Sequence, residues 1–187
     1  MIRFDQVTFG YGAEENVLRD FTLEIPAGGR VCLTGPSGRG KTTALRLLLG
    51  LETPRRGTVA VPEGTRFSAV VQEDRLLPWM TALENAALFS DGDTARRVLT
   101  ELGLEDSLDA LPETLSGGMK RRAALARALA HPFDVLVLDE ALTGLDEAAK
   151  ARCLAAIDRA VGSRTLVMAC HDRAEADALG ARTAAVT

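Results

Sequence analysis

The sequence predicts an α/β fold with a mostly parallel core sheet, and three observations carry that prediction. Short apolar strands alternate with helical stretches along most of the chain. The run Val135-Leu136-Val137-Leu138 is apolar on both faces, as a strand buried between two layers requires. A glycine-rich loop at 35–42 joins a strand to a helix. Taken in order, Phe21-Thr22-Leu23-Glu24-Ile25 alternates apolar with polar, the period of a half-buried strand. After the turn Pro26-Ala27-Gly28-Gly29, residues 30–34 read as a second strand and 42–49 as a helix closed by Gly50. Residues 58–61 and 67–71 read as further strands. From about residue 76 the texture becomes helical. Thr81 and Glu84 form a capping box. A helix is expected over 93–102, closed by Gly103, and a short one near 105–108, with Pro112 ending that run. Alternation then resumes: a helix from 117 to 130, a strand at 135–138, a helix over 146–161, a strand at 165–169, and a short helix after His171. No repeat, low-complexity tract or linker interrupts the chain, so residues 1–187 are expected to form one domain.

Composition narrows the function. The 187 residues are 47% hydrophobic and 26% charged, enough for one soluble core. The formal charge of −4 argues against a protein that holds nucleic acid by its phosphates. No stretch approaches the ~18 apolar residues of a membrane span, and Met1–Gly10 contains no apolar signal core, so a cytosolic protein is expected. Cys32, Cys153 and Cys170 are odd in number and widely spaced, which fits neither a disulfide framework nor a zinc site. They read as small buried hydrophobes. Lysine stands at only three positions, Lys41, Lys120 and Lys150, against an arginine-rich background, so each merits a chemical explanation.

Gly35-Pro36-Ser37-Gly38-Arg39-Gly40-Lys41-Thr42 matches GxxxxGK[ST] at every defined position, after an apolar strand and before a helix. Its glycines let successive N–H groups turn inward toward phosphate oxygens, and the helix start adds positive potential. Lys41 supplies a compact ammonium to the β- and γ-phosphates, and Thr42 a hydroxyl to Mg²⁺. A glycine-rich turn that binds nothing is the plainer alternative. Asp139 and Glu140 follow the apolar 135–138 run, which delivers two acids to the carboxyl edge of the sheet. Asp139 suits Mg²⁺, through water, and Glu140 suits a general base or water-orienting group. Leu115-Ser116-Gly117-Gly118-Met119 precedes a helix start and offers a second anion site. One nucleotide has no use for two such sites on one molecule, whereas two molecules placed head-to-tail would use both.

With these motifs in this order, the chain closely resembles the ATP-binding subunit of an ABC transporter. The resemblance makes Gly35 to Thr42 the Walker A loop, Leu115 to Met119 the signature, and Val135 to Asp139 with Glu140 the Walker B strand. It makes Gly144-Leu145-Asp146 the D-loop, Gln72 the Q-loop residue, His171 the switch residue and Tyr11 the adenine-stacking residue. It implies a P-loop NTPase fold: a mostly parallel core sheet, an N-terminal antiparallel β subdomain, and a small helical subdomain over about 76–124. It implies ATP and Mg²⁺ as cofactors. Glu140, His171 and Gln72 take catalytic roles, with Thr42, Gln72 and Asp139 around the metal. Tyr11, the 35–42 loop, Thr43, Ser116, Gly117, Gly118 and Asp146 surround the nucleotide. For Tyr11 a core-packing role stays open, for Gln72 an ordinary loop role, and for His171 a structural one. Met119 stands where the signature usually has Gln, and Ala141 where Pro usually follows the catalytic Glu. Together with the 72–79 stretch, Met119 looks like the importers of nitrate, sulfonate, taurine and similar solutes. The chain stops soon after His171, so a C-terminal regulatory domain and the full set of late sheet strands are not expected.

The expected function is an ATP-hydrolysing transporter subunit that dimerises around two ATP molecules to drive solute transport, by analogy import. Its expected partners are a transmembrane permease and a second ATPase subunit, on the inner face of the cell membrane. Contact with the membrane would run through the permease only, with no nucleic acid involved. A soluble ABC-type ATPase acting on ribosomes or DNA is the alternative. It is disfavoured because the chain has one cassette and no sustained heptads. Trp79 leaves two possibilities: an exposed anchor for the permease, or an inward side chain that fixes the helix starting at Thr81.

Overall fold

The computed structural model describes residues 1–12 and 16–186. Three strands, β1 (Ile2–Phe9), β2 (Leu18–Ile25) and β4 (Arg56–Ala60), form an antiparallel sheet in the order β2-β1-β4. Five parallel strands form the core sheet: β3 (Arg30–Thr34), β5 (Phe67–Val70), β6 (Val135–Asp139), β7 (Thr165–Ala169) and β8 (Arg182–Ala185), in the order β5-β6-β7-β3-β8. The helices are α1 (Lys41–Leu48), α2 (Ala82–Ala86), α3 (Gly92–Glu101), α4 (Gly117–Ala130), α5 (Glu147–Val161) and α6 (Arg173–Ala178). Among the described residues no helix is long and apolar enough to cross a membrane.

Strand period explains the layers. In β6, Val135 and Val137 join the core shared with α1 and the antiparallel sheet, while Leu136 and Leu138 join the core shared with the other helices. β7 divides the same way, Val167 and Ala169 against Leu166 and Met168. Both faces are therefore dry, which is why these runs carry no polar alternation. The capping box forms: Glu84 N–H donates to the Thr81 hydroxyl at 3.2 Å, and Thr81 N–H donates to Glu84 Oε2 at 2.8 Å.

Several boundaries differ from the sequence expectations. Gly92–Glu101 begins one residue early because Asp91 caps it, its carboxylate accepting from Thr94 N–H at 2.8 Å. Pro112 opens a 3-10 turn, Pro112–Thr114, instead of ending a run, since proline at a first helical position forfeits an N–H that would be unpaired anyway. Asp139 is the last residue of its strand, not the first beyond it. One late strand is present. β8 forms after His171 and pairs in parallel with β3, Cys32 opposite Thr183.

The two edges of the core sheet do different work. At the amino edge Arg66 grips Asp134 through Nε at 3.1 Å and Nη2 at 2.9 Å, tying the start of β5 to the start of β6. The Arg66 side chain holds the Asp134 carboxyl down at about 2, against an ordinary 3.8. A carboxyl lowered on folding stabilises the fold above its ordinary pKa and loses that effect as pH falls through its folded value. Replacing Arg66 with Met should therefore lower the denaturation midpoint at neutral pH. The gap from the unaltered chain should close as pH drops through about 2, a window that urea titrations at stepped pH would read.

Candidate functional site

The carboxyl edge gathers the site. Loops leave β3, β5, β6 and β7 on this side, and the register places Leu33 and Asp139 each opposite Ala169. Sequence-distant groups thus meet because parallel strands all end on one edge. The loop after β3 turns through Gly35 and Gly38 to Gly40, which caps α1 in the left-handed region at φ 93°. A side chain at Gly40 would be strained by that φ, and its Cβ would press to 2.8 Å from Leu18. No side chain caps α1 and its first turn has no acid, so its first N–H groups stay available to an anion. Lys41 is buried, 6% exposed, and donates to Gly35 O at 2.7 Å and Pro36 O at 3.1 Å. Those two bonds hold the ammonium inside the loop that would cradle phosphates. Ser37, Gly38 and Arg39 complete the loop, and the space around Gly38 is open.

Asp139 is 4% exposed, and its Oδ1 has no hydrogen-bond partner among the described residues. Burial raises its pKa, with Thr42 and Lys41 pulling the other way. An orphaned buried carboxylate oxygen costs on the order of 1–3 kcal/mol or more. A cavity of about 250 Å³ is lined by Thr42, Gln72 and Asp139 together, so the three residues expected around the metal do converge. A hydroxyl, an amide and a carboxylate are hard oxygen donors of the kind Mg²⁺ takes, and the orphaned Oδ1 fits that ion.

Glu140 takes φ 51°, a conformation rare for a residue with a side chain, and its N–H donates to Ala169 O at 2.9 Å. Backbone strain of this kind concentrates at functional positions. Its Oε1 lies 2.8 Å from His171 Nε2, so the second acid and the histidine after β7 form one pair. Tyr11 stands edge-on to Phe9 at 5.0 Å between ring centres, with its hydroxyl 3.4 Å from that of Thr43. It is 44% exposed, so one end packs on the antiparallel sheet while much of the ring stays accessible beside α1.

Ser116, Gly117 and Gly118 lie elsewhere. Ser116 caps α4, its hydroxyl accepting from Met119 N–H at 3.3 Å, and a Cβ at Gly117 would meet only open space. Asp146 caps α5 by accepting from Ala149 N–H at 2.8 Å. No hydrogen bond or ion pair among the described residues joins these groups to the 35–42 loop.

Two positioning residues escaped sequence reasoning. Arg121, on α4, donates to Gln72 O at 3.0 and 3.1 Å and pairs with Asp74 at 3.1 Å, fastening α4 to the Gln72 loop. One arginine among so many gives no signal in sequence. Asn85 is fully buried; its amide donates to Leu77 O, Met80 O and Thr81 O and its oxygen accepts from Leu77 N–H, which shapes the loop before α2. A polar residue at a helical core position was the available clue. Trp79 projects from that loop, 73% exposed, which removes the inward alternative. Lys150 joins Glu147, Asp172 and Glu175 at 3.8, 3.5 and 3.4 Å, tying α5 to α6 directly after His171. This gives the second conspicuous lysine its explanation.

A lysine-bearing phosphate loop after one parallel strand, with an acid pair ending another, defines a P-loop NTPase cassette. The chain belongs to the ABC transporter family, whose model matches residues 18–143. It is 48% identical over 145 residues to the aliphatic sulfonates import ATP-binding protein SsuB of Escherichia coli K12, covering 72% of this chain. The chain spans 56% of that relative's length. SsuB 1 of Rhodococcus jostii is 37% identical over all of this chain and 80% of its own length. The fold superposes on the ATP-binding cassette MJ0796, solved as a dimer bound to ADP and Pi, with TM-score 0.89 and 27% identity. That match covers 100% of this chain and 94% of the cassette. A bacterial Atm1-family ABC exporter with ATP bound matches at TM-score 0.86 and 27% identity, over 94% of this chain and 35% of its own.

Proposed function

We propose that this chain binds and hydrolyses ATP as a subunit of a membrane importer for a small solute, with an organic sulfonate as the leading class. The observation that carries the chemistry is the convergence of Lys41, Thr42, Asp139 and the Glu140–His171 pair on one sheet edge. Lys41 and the uncapped amides of α1 hold the phosphates. Tyr11 offers a face to the base. Thr42, Gln72 and Asp139 would hold Mg²⁺, which would supply positive charge against the phosphate oxygens. Glu140 takes the proton of the attacking water, and His171 fixes the carboxylate that receives it.

Ser116, Gly117, Gly118 and Asp146 reach a nucleotide only from a second copy, so the working unit is a dimer with two ATP molecules between the chains. Support comes from the open space around Gly117 and from the dimeric state of the MJ0796 cassette. ATP closes the dimer, and hydrolysis reopens it. The helical segment over about 76–124 serves as a subdomain that relays this motion, through Arg121, to the Gln72 loop. The permease docks on the Trp79 loop, and the chain sits on the cytoplasmic side through that contact. The matched E. coli and Rhodococcus proteins are named for aliphatic sulfonate import, which motivates the solute class.

The docking role has its own test. Trp79→Ala should leave melting within about 0.5 kcal/mol of the unaltered chain, because the side chain is exposed. ATP turnover should also persist. Co-expressed with a sulfonate-importer permease, the variant should be retained on membranes far less well, a loss of about 2 kcal/mol in binding. Equal retention would remove Trp79 from the interface. Asn85→Ala, by contrast, should lower melting, since it frees several loop carbonyls.

A further inference from the structure

The sequence treats Cys32 and Cys170 as unrelated, 138 residues apart, yet their sulfurs lie 3.2 Å from one another. Cys32 sits in β3, three residues before Gly35, and is fully buried. Cys170 follows the last residue of β7, is 8% exposed, and immediately precedes His171. The two strands are neighbours, with Leu33 opposite Ala169, and this brings both thiols onto the face covered by the helices. A cavity of about 270 Å³ is lined by both cysteines together with Gly35, His171 and Arg173, and it opens a path for a small molecule to Cys170, the partly exposed member of the pair. The third cysteine offers a contrast. Cys153 is buried with no thiol neighbour, and burial pushes its thiol up to about 11.

We propose that Cys32 and Cys170 form a two-electron oxidation site, which a peroxide converts reversibly to a disulfide that displaces His171 from Glu140. The chemistry balances. One thiolate sulfur attacks a peroxide oxygen, the S–O bond forms and the O–O bond breaks, and a sulfenic acid results as the other oxygen leaves as water or an alcohol. The second sulfur then attacks the sulfenic sulfur, the S–S bond forms and the S–O bond breaks. Hydroxide leaves and takes the remaining thiol proton as water. The two thiols lose two electrons and two protons, and the peroxide is reduced. The hydrogen-bonded contact with Cys170 holds the Cys32 thiol below its usual range, which favours the thiolate there.

Bond formation needs the sulfurs at about 2.0 Å, so they must approach by roughly a further ångström. Cys32 lies within a central strand paired on both sides, by β7 and β8. Cys170 lies just beyond its strand, and its segment is the part able to move. That movement draws on the residue bonded directly to it, His171, whose contact with Glu140 is 2.8 Å. Disulfide formation follows from geometry alone. Its effect on hydrolysis rests on the role proposed for Glu140 and His171.

The test treats the folded, full chain with hydrogen peroxide, then counts free thiols and maps peptides by mass. Free thiols should fall from three to one. The intact mass should drop by two hydrogens, and a Cys32 peptide should be joined to a Cys170 peptide. Dithiothreitol should reverse all three changes. Cys153→Ser should still form the bridge, and Cys170→Ala should not. Turnover of ATP by the unaltered chain should fall roughly tenfold or more on oxidation and return on reduction. Three thiols that persist, or oxygen added without a crosslink, would overturn the site. A bridge that forms while turnover holds steady would overturn the coupling to His171. The thiol count and mass read the pair whether or not the chain hydrolyses ATP, so failure here is distinct from failure of the ATPase assignment.

Discussion

Lys41→Ala should abolish ATP turnover. The Nζ is held by Gly35 O and Pro36 O within the phosphate loop, so its charge is already placed before any nucleotide arrives. Losing one charged phosphate contact costs on the order of 1.5–3 kcal/mol, and nucleotide affinity should fall at least tenfold. The two loop carbonyls also lose their donor. At a loop open to water this is a small structural loss, about 1 kcal/mol, and the fold should survive. Fluorescent-nucleotide titration beside circular-dichroism melting separates the two effects. Unchanged turnover would remove the phosphate-loop assignment.

Glu140→Gln should uncouple binding from chemistry. Glutamine keeps the size of the side chain and a carbonyl oxygen for His171, but it has no carboxylate to take a proton. Hydrolysis should slow by roughly 10²–10⁴-fold if Glu140 is the general base. ATP should remain bound, because Lys41, the α1 amides and Asp139 are untouched. The backbone should hold its place, since the Glu140 N–H bond to Ala169 O does not depend on the side chain. Single-turnover phosphate release and filter-bound nucleotide, measured together, give both quantities. Normal turnover in this variant would assign the base elsewhere.

Much of this site was legible because its motifs are contiguous. The 35–42 loop, the apolar run before Asp139 and the Thr81–Glu84 box each state their local structure in adjacent residues. What stayed hidden depends on register or on an edge. β1 carries Gln6 at φ 47°, and its pairing with β2 shifts between Phe4 and Val7, which breaks the alternation that marks a strand. β8, Arg-Thr-Ala-Ala, has almost no apolar pattern; it forms because β3 offers it a parallel edge. The cysteine pair is invisible until β3 and β7 are known to be neighbours. Arg121 and Asn85 act through backbone carbonyls, and no spacing rule announces such bonds.

On the proposed function, a nucleotide site is completed only when Ser116 and Gly117 of one chain face the phosphate loop of another. Gel filtration with light scattering of Glu140→Gln in Mg-ATP reads this arrangement. A species of twice the 19.9 kDa chain mass that carries one ATP per chain is expected. It should revert to the chain mass when Ser116→Arg is added, while ATP stays bound at the intact 35–42 loop. A Glu140→Gln chain that holds ATP and remains at 19.9 kDa would contradict the shared site.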